Sequence, residues 1–188
     1  MRTINLKKLT IGAAVGFVLA GGAIGNAEAK DIRYRESSSG TFSNTAIDTN
    51  GDGTLATLSL YTGHTNLGQI TGQGVFEYLP IPFPPPPPTN CPAGTVEFQF
   101  VVGRGVNTFK DGDQLILVPG SSLLCADPTT GLGTFHNIGV FAGGTGRFAG
   151  ATGSFETRGT VAVLLVNQLG SAEFGLSNFE ITGTLILP

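Results

Sequence analysis

The stretch at 139–155, Gly139-Val-Phe-Ala-Gly-Gly-Thr-Gly-Arg-Phe-Ala-Gly-Ala-Thr-Gly-Ser-Phe155, limits what this chain can fold into more than any other. Glycines crowd it, and Phe141, Phe148 and Phe155 recur at seven-residue intervals. Two readings compete. A phosphate-cradling glycine loop needs a strand before it, a helix after it and an acidic residue about 20 positions on. The residues that follow here, 154–166, are rich in Thr, Val and Phe and read as strand. The second reading, a turn joining two strands, therefore wins. In it Gly143-Gly144 and Thr145-Gly146 supply positive φ, and Gly150 and Gly153 sit where a strand bends or passes close to another backbone.

The flanking sequence repeats the β pattern. Residues 66–78 alternate Ile70, Gly72, Gly74, Phe76 and Tyr78 on one face with Gln69, Thr71, Gln73, Val75 and Glu77 on the other, and glycines alternating with large residues suit a tightly curled sheet. Residues 95–102 place Val96, Phe98, Phe100 and Val102 inward and Glu97 and Gln99 outward. Further strands are expected near 32–35, 55–61, 113–118, 132–141, 147–158, 160–166 and 172–187. Residues 107–112 read as a turn and 121–131 as a loop. In the last strand the apolar phase shifts from Phe174 and Leu176 to Phe179 and Ile181, so a bulge is expected at Ser177–Asn178. About eight short strands with no convincing helix predict an all-β barrel or sandwich. A closed barrel disposes of the exposed sheet edges.

At the N-terminus, Arg2, Lys7 and Lys8 precede an apolar run over 9–24 and an Ala27-Glu-Ala29 cleavage pattern. This predicts a signal peptide over 1–29, an exported chain (periplasmic or extracellular) and a single domain over 30–188. The apolar run is short for a span, and no integral membrane segment is expected after cleavage. Two cysteines, Cys91 and Cys125, then meet an oxidising compartment and are expected to pair. Residues 80–90 form a proline-rich insertion whose Pro84–Pro88 run must be polyproline II. It reads as a long connection between strands, held at its far end by Cys91. The net charge of −3, with the ten Lys and Arg scattered, argues against nucleic acid as a partner.

Chemistry-bearing patterns are sparse. Asp48-Thr-Asn50-Gly-Asp52-Gly matches the first half of a calcium loop, with Asp48, Asn50 and Asp52 as ligands and the Thr54 carbonyl as a fourth. Ser59 stands where the bidentate Glu should be, and a strand follows instead of a helix. The alternative is an Asx-rich turn. Calcium is thus the one cofactor the sequence admits. His64 and His136 lack metal spacing and a nucleophile-elbow serine, so no catalytic residue is nominated. Glu77 and Glu156 alternate with Phe76 and Phe155 and are expected to face solvent.

Gly143-Gly-Thr-Gly-Arg-Phe-Ala-Gly-Ala-Thr-Gly153 resembles the hairpin of the allene oxide cyclase and dirigent barrel superfamily. The segments Asp48–Gly53, Leu67–Gly72 and Gly112–Leu115 resemble an exported bacterial branch of it. The resemblance covers roughly 37–187, with the proline insertion as a departure. It implies an eight-stranded antiparallel β-barrel with an apolar interior, in which Gly143, Gly144, Gly146, Phe148, Gly150 and Gly153 form the barrel hairpin. It also implies a mouth able to admit a hydrophobic small molecule. The family's polar pocket residues have no match here. Three functions follow: a non-catalytic binding or scaffold barrel for a hydrophobic small molecule, an isomerase-like or stereo-directing barrel on a lipophilic substrate, and a calcium-assisted surface or matrix protein. The first is the preferred expectation. A pocket lined by Phe and Leu with one or two buried polar groups would favour the second, and a barrel filled by its own side chains would exclude both.

Overall fold

Alternation with a period of two builds the molecule. On β1 (Lys30–Asn44), Tyr34, Glu36 and Ser38 are buried while Arg33, Arg35 and Ser37 are exposed. The same alternation recurs on β2 (Leu55–Thr65), β3 (Gly68–Tyr78), β4 (Val96–Phe109), β5 (Gln114–Ala126), β6 (Leu132–Gly144), β7 (Thr152–Val166) and β8 (Ala172–Leu187). The computed structural model describes residues 29–45, 53–79, 87–166 and 172–188. Each strand pairs antiparallel with the next, and β8 returns to β1, closing an all-β, eight-stranded barrel. A barrel of eight strands has an interior just wide enough to be filled by side chains or to hold one small ligand. This one is filled by side chains at one end and hollow at the other.

One end is packed solid. Ile70, Phe109, Leu115, Phe141, Phe148, Ala151 and Leu185 form a continuous apolar cluster beneath Tyr34. The glycine-rich hairpin closes this end. It leaves β6 at Gly144, makes one 3-10 turn over Gly146–Phe148 and re-enters the wall as β7. Gly143, Gly146, Gly150 and Gly153 all have positive φ, which lets the chain fold back and drop Phe148 into the barrel, fully buried. The Phe148 ring lies 4.7 Å from that of Phe109, centroid to centroid, and the Arg147 guanidinium covers both. Ion pairs to Asp111 and Asp113 hold Arg147 in place.

At four places the wall departs from expectation, each for a local reason. β5 does not stop at Pro119-Gly120 but continues to Ala126. Its register against β6 shifts between Pro119 and Ser122, a bulge of the kind that accommodates a proline in a sheet. β4 likewise runs through the expected turn at 107–112 and ends at Phe109, so Asn107 points inward, fully buried. A second bulge sets Glu77 against Val102 and Tyr78 against Phe100. Val101 and Val102 then both face out, and Val102 is not the inward residue the alternation predicted. On β8 the expected bulge at Ser177–Asn178 is absent: the pairing runs unbroken through these two residues on both sides, and the register against β7 shifts instead at Val163–Val166, opposite Phe174. Gly175 and Ser177 face in, while Phe174 and Leu176 face solvent at 37% and 42% exposure. The ring of Phe42 lies over Gly175 and takes the space that an inward Phe174 would need.

Candidate binding cavity

The other end of the barrel holds a cavity of about 160 Å³. Rings of Phe42, Phe76, Tyr78, Phe98, Phe100 and Phe135 line it, with Tyr61, Phe155 and Phe179 toward the core. Glycine is what keeps the lumen open. Phe135 pairs directly with Gly159, Phe76 with Gly103, and Phe42 with Gly175, and in each case a Cβ on the glycine would collide with the facing ring. The rings lie flat along the wall over these bare positions instead of meeting in the centre. Edge-to-face contacts of Phe100 with Phe76 and Tyr78 fix their tilt.

A layer of buried polar groups separates the cavity from the packed end. The Tyr61 side chain lines the cavity and its hydroxyl donates to Asn107 Oδ1 at 2.7 Å. Asn107 Nδ2 donates to Glu36 Oε2 at 2.7 Å and to the Tyr34 hydroxyl oxygen at 3.0 Å. Tyr34 donates to Glu36 Oε2 and Ser38 to Glu36 Oε1, each at 2.7 Å. Every donor in the layer thus leads to one carboxyl. Among the described residues no cation pairs with Glu36. Burial pushes its carboxyl above the usual range, against the three hydrogen bonds that favour the charged form. Burial first, and the Glu36 charge second, push both Tyr34 and Tyr61 well above the ordinary phenol value, so both keep their protons at neutral pH.

Part of the remaining polar lining is paired within itself. Thr57 donates to Asn44 at 2.7 Å, and Ser122 donates to Asn137. A larger depression of about 1330 Å³ runs over the outer strand faces past His64, His136 and Arg158. It is more open and more polar than the interior cavity, which encloses an apolar small molecule better and is the better candidate.

The cysteines meet: Cys91 and Cys125 form a disulfide, Cα to Cα 5.5 Å, which ties the connection after β3 to β5 at the cavity end. Beside it, Glu97 accepts from the backbone of Asn90 and of Thr89, each at 2.8 Å. These bonds, with Gln99 adding another, hold its carboxyl down at about 2. Thr89, Asn90 and Cys91 anchor the far end of the proline-rich connection, of which 80–86 lie outside the described residues. So do residues 1–28 of the signal peptide expected over 1–29, and Asp48, Asn50 and Asp52, the expected calcium ligands. Glu156 faces outward, where Arg158 and His136 bond it at 2.7 and 2.8 Å and hold its carboxyl low. Glu77, half-buried, accepts from Thr54 at 3.4 Å. His64 lies on the surface, 3.3 Å from Gln69.

Sequence reasoning missed the polar layer. Ile32, Tyr34, Glu36 and Ser38 share one phase of β1, and that signal was available. Asn107 gives no such signal, because the sequence over 107–112 reads as a turn.

Among the described residues no helix is long and apolar enough to cross a membrane, and no three His, Cys, Asp or Glu gather closely enough to hold a metal ion. No protein-family model matches the chain, and no curated protein is similar to it in sequence. Among solved structures, the pterocarpan synthase dirigent protein GePTS1 aligns over 86% of this chain and 87% of its own, at 13% identity and a TM-score of 0.36. A likeness so distant carries neither ligand nor activity across, and the case for this protein rests on its own barrel.

Proposed function

We propose that the chain is an exported β-barrel that binds a hydrophobic small molecule and has no catalysis of its own. The observation that carries this reading is the aromatic cavity inside a closed barrel, kept open by glycines opposite its rings. A wall of this construction favours an apolar guest, and a few polar groups orient it. The disulfide supports export, since such bonds persist in oxidising compartments. Mass spectrometry of the natively purified protein is the direct test. A stoichiometric small apolar molecule is the expected result. A protein that arrives empty and whose melting temperature no apolar probe raises would overturn the reading.

A second reading, an isomerase-like or stereo-directing barrel on a lipophilic substrate, is favoured by one observation. Tyr61 reaches the cavity and is wired through Asn107 to a buried carboxyl. Incubation of the recovered ligand with the parent and with Glu36→Gln separates the two. Product whose yield or stereochemistry depends on Glu36 supports the second reading, and an unchanged ligand supports the first.

A further inference from the structure

β7 and β8 outrun the barrel wall. The pairing of β7 with β6 ends at Ala162 opposite Leu132, with one further bond from the Val163 amide to the Gly131 carbonyl. The pairing of β8 with β1 ends at Phe174 opposite Ser43. From there, among the described residues, the two strands pair only with each other, Leu165 with Phe174 and Val166 with Ala172. They form a two-stranded finger at the hollow end, and Val163 at its base lines the cavity.

The finger is apolar where it meets water. Leu164, Leu165 and Val166 are 58%, 55% and 55% exposed, so the end of β7 has no buried side. Phe174 at the base and Leu132 beside it are exposed as well. Single exposed apolar residues are ordinary, but a cluster gathered on one projection marks an interaction surface. Charge narrows what that surface meets. Glu173 is the one charged residue on the finger among the described residues. Lys30, Arg33, Arg35, Lys110 and Arg147 stand at the packed end, and Arg104 and Arg158 lie part-way along the wall. Attraction to anionic lipid needs Lys or Arg at the contact, and this contact has neither.

We propose that the finger seats the barrel, hollow end down, on an uncharged lipid surface, that of a zwitterionic phospholipid bilayer. A second protein packs against one side of a strand pair, whereas a fluid apolar layer surrounds a projection that is bare on both. Hydrocarbon leaves the unpaired backbone groups along the finger's edges unsatisfied, which holds the finger at the depth of the headgroups. The contact adjoins the cavity, so an apolar guest passes between lipid and barrel with little exposure to water. That last step rests on the binding reading above. The seating itself needs no guest and can fail while the binding reading stands.

Flotation of the natively purified protein with phosphatidylcholine vesicles tests the seating. The parent is expected to float with them, and neither added phosphatidylglycerol nor lower salt should raise the bound fraction. Leu165→Asp should weaken the partitioning by roughly tenfold or more. Val140→Asp, at a comparably exposed position further toward the packed end, should leave it unchanged. Both substitutions are on the surface, so both variants should melt close to the parent. If Leu165→Asp does not fold, Leu164→Ser takes its place with a loss in the same direction. A parent that stays unbound, that floats only with anionic vesicles, or that both substitutions weaken equally overturns the proposal. So does a parent that sediments as an oligomer which Leu165→Asp dissolves, because the finger then meets a second copy of the chain. In each of these cases a guest recovered by mass spectrometry still upholds the binding reading.

Discussion

The ring of Tyr61 lies flat over Gly72, its directly paired neighbour on β3, so that a Cβ at Gly72 would overlap the ring. From that position Tyr61 reaches Asn107 on β4, two strands away. Gly72→Ala is therefore expected to force the ring out of place and break the bond to Asn107. The loss should be about 1–3 kcal/mol, the usual cost of overpacking, measured by urea unfolding. Coupling makes the test specific. In a Tyr61→Ala background the same glycine substitution should cost much less, and additive effects in the double-mutant cycle would show that the two positions do not touch.

That relationship also shows what the sequence could reveal. The alternation of Ile70, Gly72, Gly74, Phe76 and Tyr78 was legible, and with it the barrel, because a period of two is a local signal. The partner of each glycine was not, because facing pairs such as Phe135 with Gly159 depend on register between strands. Glu36 was overlooked for a different reason. A charged residue on an apolar phase reads as surface until Tyr34, Ser38 and Asn107 are seen to converge on it from two strands. Phe174 and Leu176 misled in the opposite sense, since apolar side chains on the outer face imitate a core phase.

The phase of β8 is open to direct test. Leu176 faces solvent and Ile181 is 3% exposed within the core. Leu176→Ser should change stability by no more than about 0.5 kcal/mol, while Ile181→Ala should cost about 2–5 kcal/mol. Thermal unfolding of both variants decides it, and a costly Leu176→Ser would restore the bulge at Ser177–Asn178.

The disulfide should matter to the whole barrel. Cys91 and Cys125 are 34 residues apart in sequence, and the loop they close constrains the unfolded chain. Replacing both with Ser is expected to lower the unfolding free energy by roughly 3–4 kcal/mol in the chain-entropy treatment. Denaturant titrations of the parent with and without reductant give the same comparison without mutation. An unchanged midpoint would mean that the connection after β3 does not rely on the bridge.

Glu36 gives the barrel a pH dependence of unusual sign for a carboxyl. Burial raises it above its ordinary 4.5, so between that value and the raised one the folded chain holds a proton that the unfolded chain has released. Stability contributed by Glu36 is therefore full below 4.5 and is lost as pH rises through the folded value. Glu97, Asp127 and Glu156 act in the opposite direction. Hydrogen bonds hold all three low, led by the Asn90 backbone, the Thr129 backbone and the Arg158 side chain respectively, so their contribution is lost as pH falls. Comparing Glu36→Gln with the parent by urea unfolding, from about pH 4 to 8, cancels those shared terms. The variant should gain on the parent as pH rises and then hold a constant difference. A difference independent of pH throughout would show that Glu36 titrates as an exposed carboxyl.

The glycine hairpin that closes the packed end depends most on Gly146. Its φ is +55, in the left-handed region, and a Cβ there would overlap the carboxylate of Asp113. That carboxylate accepts from the Arg147 backbone at 3.2 Å and pairs with its guanidinium, which in turn caps Phe148 and Phe109. Gly146→Val therefore combines two penalties. A β-branched residue in the left-handed region costs about 1–2 kcal/mol, and displacing Asp113 frees Arg147 from the rings it covers. The variant is expected to lose at least about 2 kcal/mol in denaturant unfolding, with faster hydrogen exchange at the Phe148 and Ala151 amides, which bond back to Thr145 and Phe148. Asp113→Ala in the Gly146→Val background should recover part of the loss by removing the collision. A Gly146→Val protein as stable as the parent would show that this turn does not need the left-handed conformation, and that Phe148 is held in the barrel by something other than the hairpin.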